Sequence, residues 1–167
     1  HGVVVDDDGA VEARILDVQN NLATTYNKLG RDVEALRIKR DVYSGYLKIH
    51  GEEHESTLIA AQNYAASLIS LKRSEESKSL LSKATPVARR ALGENHIRTL
   101  ELRWNYATTL QHDDDATLDD LREAVTTLEE TERTARRILG GAHPLSRVIE
   151  DTLRDAGAAL RARETPS

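Results

Sequence analysis

The chain has no cysteine, no methionine and no phenylalanine, and only one tryptophan and three prolines in 167 residues. Without cysteine there is no disulfide, no thiolate zinc site and no thiol nucleophile. A cysteine-free chain suits a reducing compartment, and a cytoplasmic location is the expectation. Long apolar runs are also missing. Nothing approaches the roughly 18 consecutive apolar residues of a membrane span. The opening HGVVVDDDGA sets three valines against three acids, unlike a secretory leader. Positive charge is not in excess: 23 basic and 28 acidic residues leave a formal net charge of −5. That argues against a nucleic-acid partner and against an anionic membrane surface. Catalytic grammar is missing too: no Gly-rich phosphate loop, no His-Glu-x-x-His, no Gly-x-Ser-x-Gly elbow. The expectation is a non-enzyme without cofactor or bound metal. Starting at His1 and lacking Met, the sequence reads as a fragment of something longer or a processed product.

What is present is helix-forming residues and repetition. Ala, Leu, Glu and Arg are plentiful and strong helix formers, while Val and Ile never alternate between turns. The chain therefore reads as all-α. NNLATTYNKLG (20–30), QNYAASLISLK (62–72) and WNYATTLQHDD (104–114) align with Asn21, Asn63 and Asn105 at intervals of 42. Farther along, RRALG (89–93) matches RRILG (136–140), with LKIHG (47–51) as a looser copy. The third unit carries five extra residues, because its Gly-x-x-His phrase follows the second by 47 positions and not 42.

The phrases GEEH (51–54), GENH (93–96) and GGAH (140–143) read as seams between units. Gly51, Gly93 and Gly140 are expected to end a helix in the left-handed conformation. Arg89-Arg90 and Arg136-Arg137 would sit in last turns, where positive charge offsets the helix dipole. Pro144 would open the next helix. The histidines are expected to belong to the joint and not to a metal. Within each unit the first helix carries an apolar stripe, such as Leu58, Ala61, Ala65 and Leu68. It also carries a second stripe, Ile59, Gln62, Asn63 and Ala66, too polar for a core. The second helix has its own apolar face, for example Leu80, Leu81, Ala84, Val87, Ala88 and Ala91. Neither helix buries its stripe alone, so helix pairs must stack.

These residues resemble tetratricopeptide repeats of the 42-residue kinesin light chain-like type. The resemblance rests on NNLATTYNKLGRDVEALRIKRDVY, on NYAASL and NYATTL, and on the LG-x-x-H joint. It implies an α-solenoid of antiparallel helix pairs over residues 11–162, with units at about 11–53, 54–95 and 96–142. A capping helix would span 143–162, between an N-terminal segment 1–10 that is disordered or frayed and a polar tail 163–167. There are departures. Lys72 stands where the turn between helices prefers Gly, Ser77 replaces an expected Ala, and Pro86 interrupts a second helix and should kink it. A segment near HDDDAT is inserted between the helices of the third unit. In that acidic segment Thr117 is expected to cap a helix with Asp119 and Asp120 in its first turn.

By the same resemblance, first helices line a concave groove that binds peptide segments. The groove maps onto Asp17, Asn20, Asn21 and Thr24, then Ile59, Gln62, Asn63 and Ala66, then Glu101, Trp104, Asn105 and Thr108. An asparagine amide both donates and accepts, so a column of them could hold a peptide backbone irrespective of its side chains. The competing reading is that these amides bridge neighbouring helices within the stack. Trp104 aligns with polar Asn20 and Gln62, which points it at the groove as a hot-spot candidate; the alternative is packing inside an irregular third unit. The functional expectation is a protein–protein interaction module with an adaptor or scaffold role and a protein or peptide partner. The competitors are a structural spacer or self-association segment, or a regulatory array attached to an enzyme or nucleotide switch.

Overall fold

A computed structural model describes residues 7–165, and within them every regular element is helical. Seven helices follow in order: α1 (Asp7–Lys28), α2 (Asp32–His50), α3 (Glu55–Ser70), α4 (Ser74–Leu92), α5 (Ile97–His112), α6 (Leu118–Leu139) and α7 (Pro144–Glu164). Each packs on its neighbour in the chain. Successive first helices also pack from α3 onward, α3 on α5 and α5 on α7, whereas α2, α4 and α6 do not pack on one another and meet only through long side chains such as Lys78 and Asp120. The stack is therefore tighter along its first helices, from α3 onward, than along its second helices. α1 begins at Asp7, inside the stretch expected to fray, and α7 runs to Glu164, into the expected tail. Residues 1–6, 166 and 167, on which the rest of those two expectations falls, lie outside the described residues.

Three apolar clusters form the core, each spanning a seam. Leu16, Val42, Tyr46 and Ala60 join α1, α2 and α3. Leu58, Ala61, Leu81, Ala84, Val87 and Leu102 join α3, α4 and α5. Leu100, Leu110, Leu128, Ile149 and Ala156 join α5, α6 and α7. Every cluster takes at least one residue from the first helix of the following unit, which is how stacking buries faces that a lone pair would expose.

The joints have a more specific chemistry than the spacing suggested. His54, His96 and His143 are the N-caps of α3, α5 and α7, and each Nδ1 accepts the backbone N–H two residues on, at 3.1, 3.2 and 3.1 Å. Imidazole thus does the work usual for Ser, Asp or Asn, satisfying one orphan donor. Nδ1 must carry no proton, so the neutral tautomer protonated at Nε2 is required. The glycines correct an expectation. Gly51, Gly93 and Gly140 have φ of 79°, 95° and 84°, but ψ of 175°, 162° and 155°, outside the left-handed helical well. That region is almost closed to other residues. It sends the chain out extended toward the next histidine cap, after the glycine N–H has bonded to Leu47, Arg89 or Arg136.

The three departures resolve locally. Lys72 adopts φ 56°, matching Gly30 at 73°, so the turn keeps its shape with a strained side chain. α4 continues through Pro86 as one unbroken helix. The five extra residues of the third unit become two more loop residues (113–117 against 71–73) and three more helical ones (22 in α6 against 19 in α4). The added turn starts with a capping box: the Thr117 hydroxyl accepts from the Asp120 N–H at 3.1 Å, and the Asp120 carboxylate accepts from the Thr117 N–H at 2.9 Å.

Candidate interaction surface

The inner face is built from α1, α3 and α5, whose polar stripes repeat at 42 residues. Between α1 and α3 lies a hollow of about 80 Å³ lined by Asp17, Asn20, Ile59 and Asn63 over a floor of Val42, Tyr46 and Ala60. The Tyr46 hydroxyl donates to the Asp17 carboxylate and so fixes that side chain at the rim. Burial, with that carboxylate second, pushes the Tyr46 hydroxyl up to about 12, so it remains a donor throughout the neutral range.

The sequence-predicted residues fall in different environments. Asn21, Thr24 and Ala66 are exposed; Asn20, Gln62, Asn63, Trp104 and Thr108 are half-buried; Asn105 is buried at 5% exposure. Thr24 and Thr108 each bond back to the carbonyl four residues earlier. The three asparagines are one column in sequence but not one accessible ladder. Asn21 belongs to a helix with nothing stacked ahead of it among the described residues, and Asn105 is buried.

Two contacts between first helices are equivalent in the repeat. Asn63 Nδ2 donates to Asn20 Oδ1 across α3 and α1 at 3.4 Å. Trp104 Nε1 donates to Thr152 Oγ1 across α5 and α7 at 2.9 Å. Shifting Asn20 by 84 positions gives Trp104, and shifting Asn63 by 89 (42 plus 47) gives Thr152. The same pair of positions therefore straps neighbouring first helices at both ends, loosely by two amides and tightly by an indole. Trp104 also packs against the cluster of Leu100, Leu128 and Ile149, so its ring belongs to the α5–α7 seam. Composition alone could not place it, because no aligned position carries another large aromatic.

Charge elsewhere is used for holding units together. Arg103, 7% exposed, pairs with Glu130 at 2.7 Å and approaches Glu94 at 3.6 Å beside a cavity of about 280 Å³ between α4 and α6. Arg90 reaches back to Glu53, and at the equivalent positions Arg137 reaches Asn95, at 2.9 and 3.0 Å. Lys78 on α4 bonds to Asp120 on α6 at 2.8 Å. That contact and the Thr117 cap hold the Asp120 carboxyl down at about 2.

Stacked antiparallel helix pairs with a polar inner stripe define an α-solenoid interaction fold. Residues 14–84 match the tetratricopeptide repeat family. Nearly identical TPR-like repeats from a provisional kinesin light chain of Podosopora anserina share the fold, with a TM-score of 0.78 at 24% identity over 89% of this chain and 67% of that one. A variant structure of such Podosopora anserina repeats gives a TM-score of 0.54 at 19% identity, over 92% of this chain and 89% of that one. No curated protein matches the sequence. Residues 14–84 are thus similar to tetratricopeptide repeats, and the fold as a whole is similar to that of kinesin light chain TPR-like repeats. The partial family match and the fold support a protein-interaction repeat module. No helix among the described residues is long and apolar enough to cross a membrane.

Proposed function

We propose that this module, acting in the cytoplasm as an adaptor or scaffold, holds an extended peptide segment of a partner protein along its inner face. In this reading the peptide runs over α1 and α3. The observation that carries it is the hollow lined by Asp17, Asn20, Ile59 and Asn63, where amides and a carboxylate surround one aliphatic side chain. Such a lining supplies backbone donors and acceptors together with one apolar contact, the chemistry an extended chain needs. Gln62, Asn21, Thr24 and Ala66 extend the surface along the two helices. Asp17 favours a basic side chain on the peptide. Trp104, Asn105 and Thr108 mark where the track ends, because there the indole is bonded to α7 and Asn105 is buried.

The test is a synthetic array of ten-residue peptides probed with the native chain and with an Asn20→Ala/Asn63→Ala double variant. Spots bound by the native chain and lost by the variant, with unchanged helical circular dichroism, support the reading. Retained spots, or none with either protein, contradict it. The second reading is a structural spacer. It is favoured by the Asn63–Asn20 bond, which spends both amides on holding helices together.

A further inference from the structure

Among the described residues, four of the eight exposed large apolar side chains gather on one face of α1. Val11, Ile15, Val18 and Leu22 are 49%, 52%, 67% and 43% exposed, and their spacings of four, three and four put them on one helical face. The repeat register says what that face is for. Val18 advanced by 42, 84 and 131 residues becomes Ala60, Leu102 and Ile149. All three are buried, at 3%, 0% and 0% exposure. Each is inserted into the apolar cluster of the unit before it: Ala60 against Val42 and Tyr46 of α2, Leu102 against Leu81, Ala84 and Val87 of α4, Ile149 against Leu128 and Ala135 of α6. Ile15 advances to Thr57, Thr99 and Ser146, buried at 2%, 0% and 3%. Leu22 advances to Tyr64, whose ring lies tilted beside that of Tyr43 of α2, then to Tyr106 and Leu153, both packed on a core cluster. At three seams these positions face the second helix of the preceding unit. On α1 they face nothing among the described residues, and they are more apolar there than at the first seam.

We propose that the Ile15–Val18–Leu22 face of α1 is the docking surface for the second helix of another 42-residue unit, stacked ahead of α1 in the same array. Its continuity with three established seams selects that occupant. A second copy stacked head to tail would offer the outer surface of α7, where Arg147, Asp151, Arg154 and Asp155 are exposed and two of them pair with each other. That surface is charged and supplies no apolar stripe. The two ends of the stack are thus unlike: α1 presents an apolar face, and α7 a charged one.

The test uses the native chain and a tandem form in which residues 13–54 are duplicated in register, so that a copy of α2 precedes the inner copy of α1. Val18→Asp is introduced into the native chain and into the inner copy of the tandem form. The expected result is an unchanged thermal midpoint in the native chain and a fall of at least about 5 °C in the tandem form. Equal effects in the two backgrounds, or a tandem form that does not unfold cooperatively, overturn the proposal. Light scattering on the native chain separates the other occupant: a monomer agrees with the proposal, whereas a dimer that Val18→Asp dissociates assigns the face to a second copy and overturns it.

Discussion

The contact of α1 with α3 and the contact of α5 with α7 use the same repeat positions, yet one leaves a hollow and the other holds an indole. At the first, Asn20 and Asn63 meet at 3.4 Å beside an open space; at the second, an indole fills the space and bonds to Thr152 at 2.9 Å. Small amides leave room for a visitor, and a large ring removes it. The knob beneath each contact follows the same trend, from Ala60 at the first to Ile149 at the last. A repeat fixes where side chains point, and the size of the residue at each copy decides whether the seam binds or seals.

The largest way to sharpen that contrast is to empty the sealed seam. Ile149→Ala should lower stability by about 2–4 kcal/mol in urea unfolding, because a fully buried side chain leaves a cavity. Val18→Ala at the equivalent exposed position should change it by less than about 0.5 kcal/mol. Equal losses would mean that α1 is covered in solution.

Acid should act next, and selectively on the third unit. Asp120 has its carboxyl lowered to about 2 by Lys78 and the Thr117 cap. A depressed carboxyl contributes stability that is complete above its unfolded value near 4 and lost as pH falls toward 2. Unfolding midpoints measured from pH 5 to pH 2 should fall by an increment that Asp120→Asn removes. An identical acid slope in that variant would contradict the assignment.

Smaller effects test the straps themselves. Thr152→Val deletes the indole's acceptor and should cost about 1 kcal/mol, measured by denaturation, while Asn20→Ala at the looser strap should cost little. His96→Ala should cost a further amount of about 1 kcal/mol through loss of a cap. Lys72→Gly runs the other way: relief of a positive φ should raise stability by up to about 1 kcal/mol and bring the second turn into line with Gly30. A destabilised Lys72→Gly protein would mean the lysine side chain makes a contact worth more than the strain.

Much of this architecture was legible in the residues. The 42-residue spacing of Asn21, Asn63 and Asn105 gave the pairing of helices, and Thr117 with Asp120 gave a helix start, because both signals are local. The reason for the histidines was harder to read: imidazole is not among the preferred caps, and only the placement of Nδ1 over the helix end reveals it. The glycines announced a positive φ, but ψ depends on where the next helix must begin. Trp104 could be aligned and still not placed, since its partner Thr152 lies 48 residues away, past the five-residue expansion. The open face of α1 was hidden for the opposite reason. Its valines and leucine look like ordinary core residues until the following seams show which helix should cover them.

Acrylamide quenching of the single tryptophan tests the central contrast most directly. A sealed α5–α7 seam predicts a blue-shifted, poorly quenched Trp104 in the native chain that becomes red-shifted and accessible in Thr152→Val. A red-shifted and freely quenched Trp104 in the native chain would contradict it, placing the indole in the open groove and making the α5 end, not the α1–α3 hollow, the first place to look for a bound peptide.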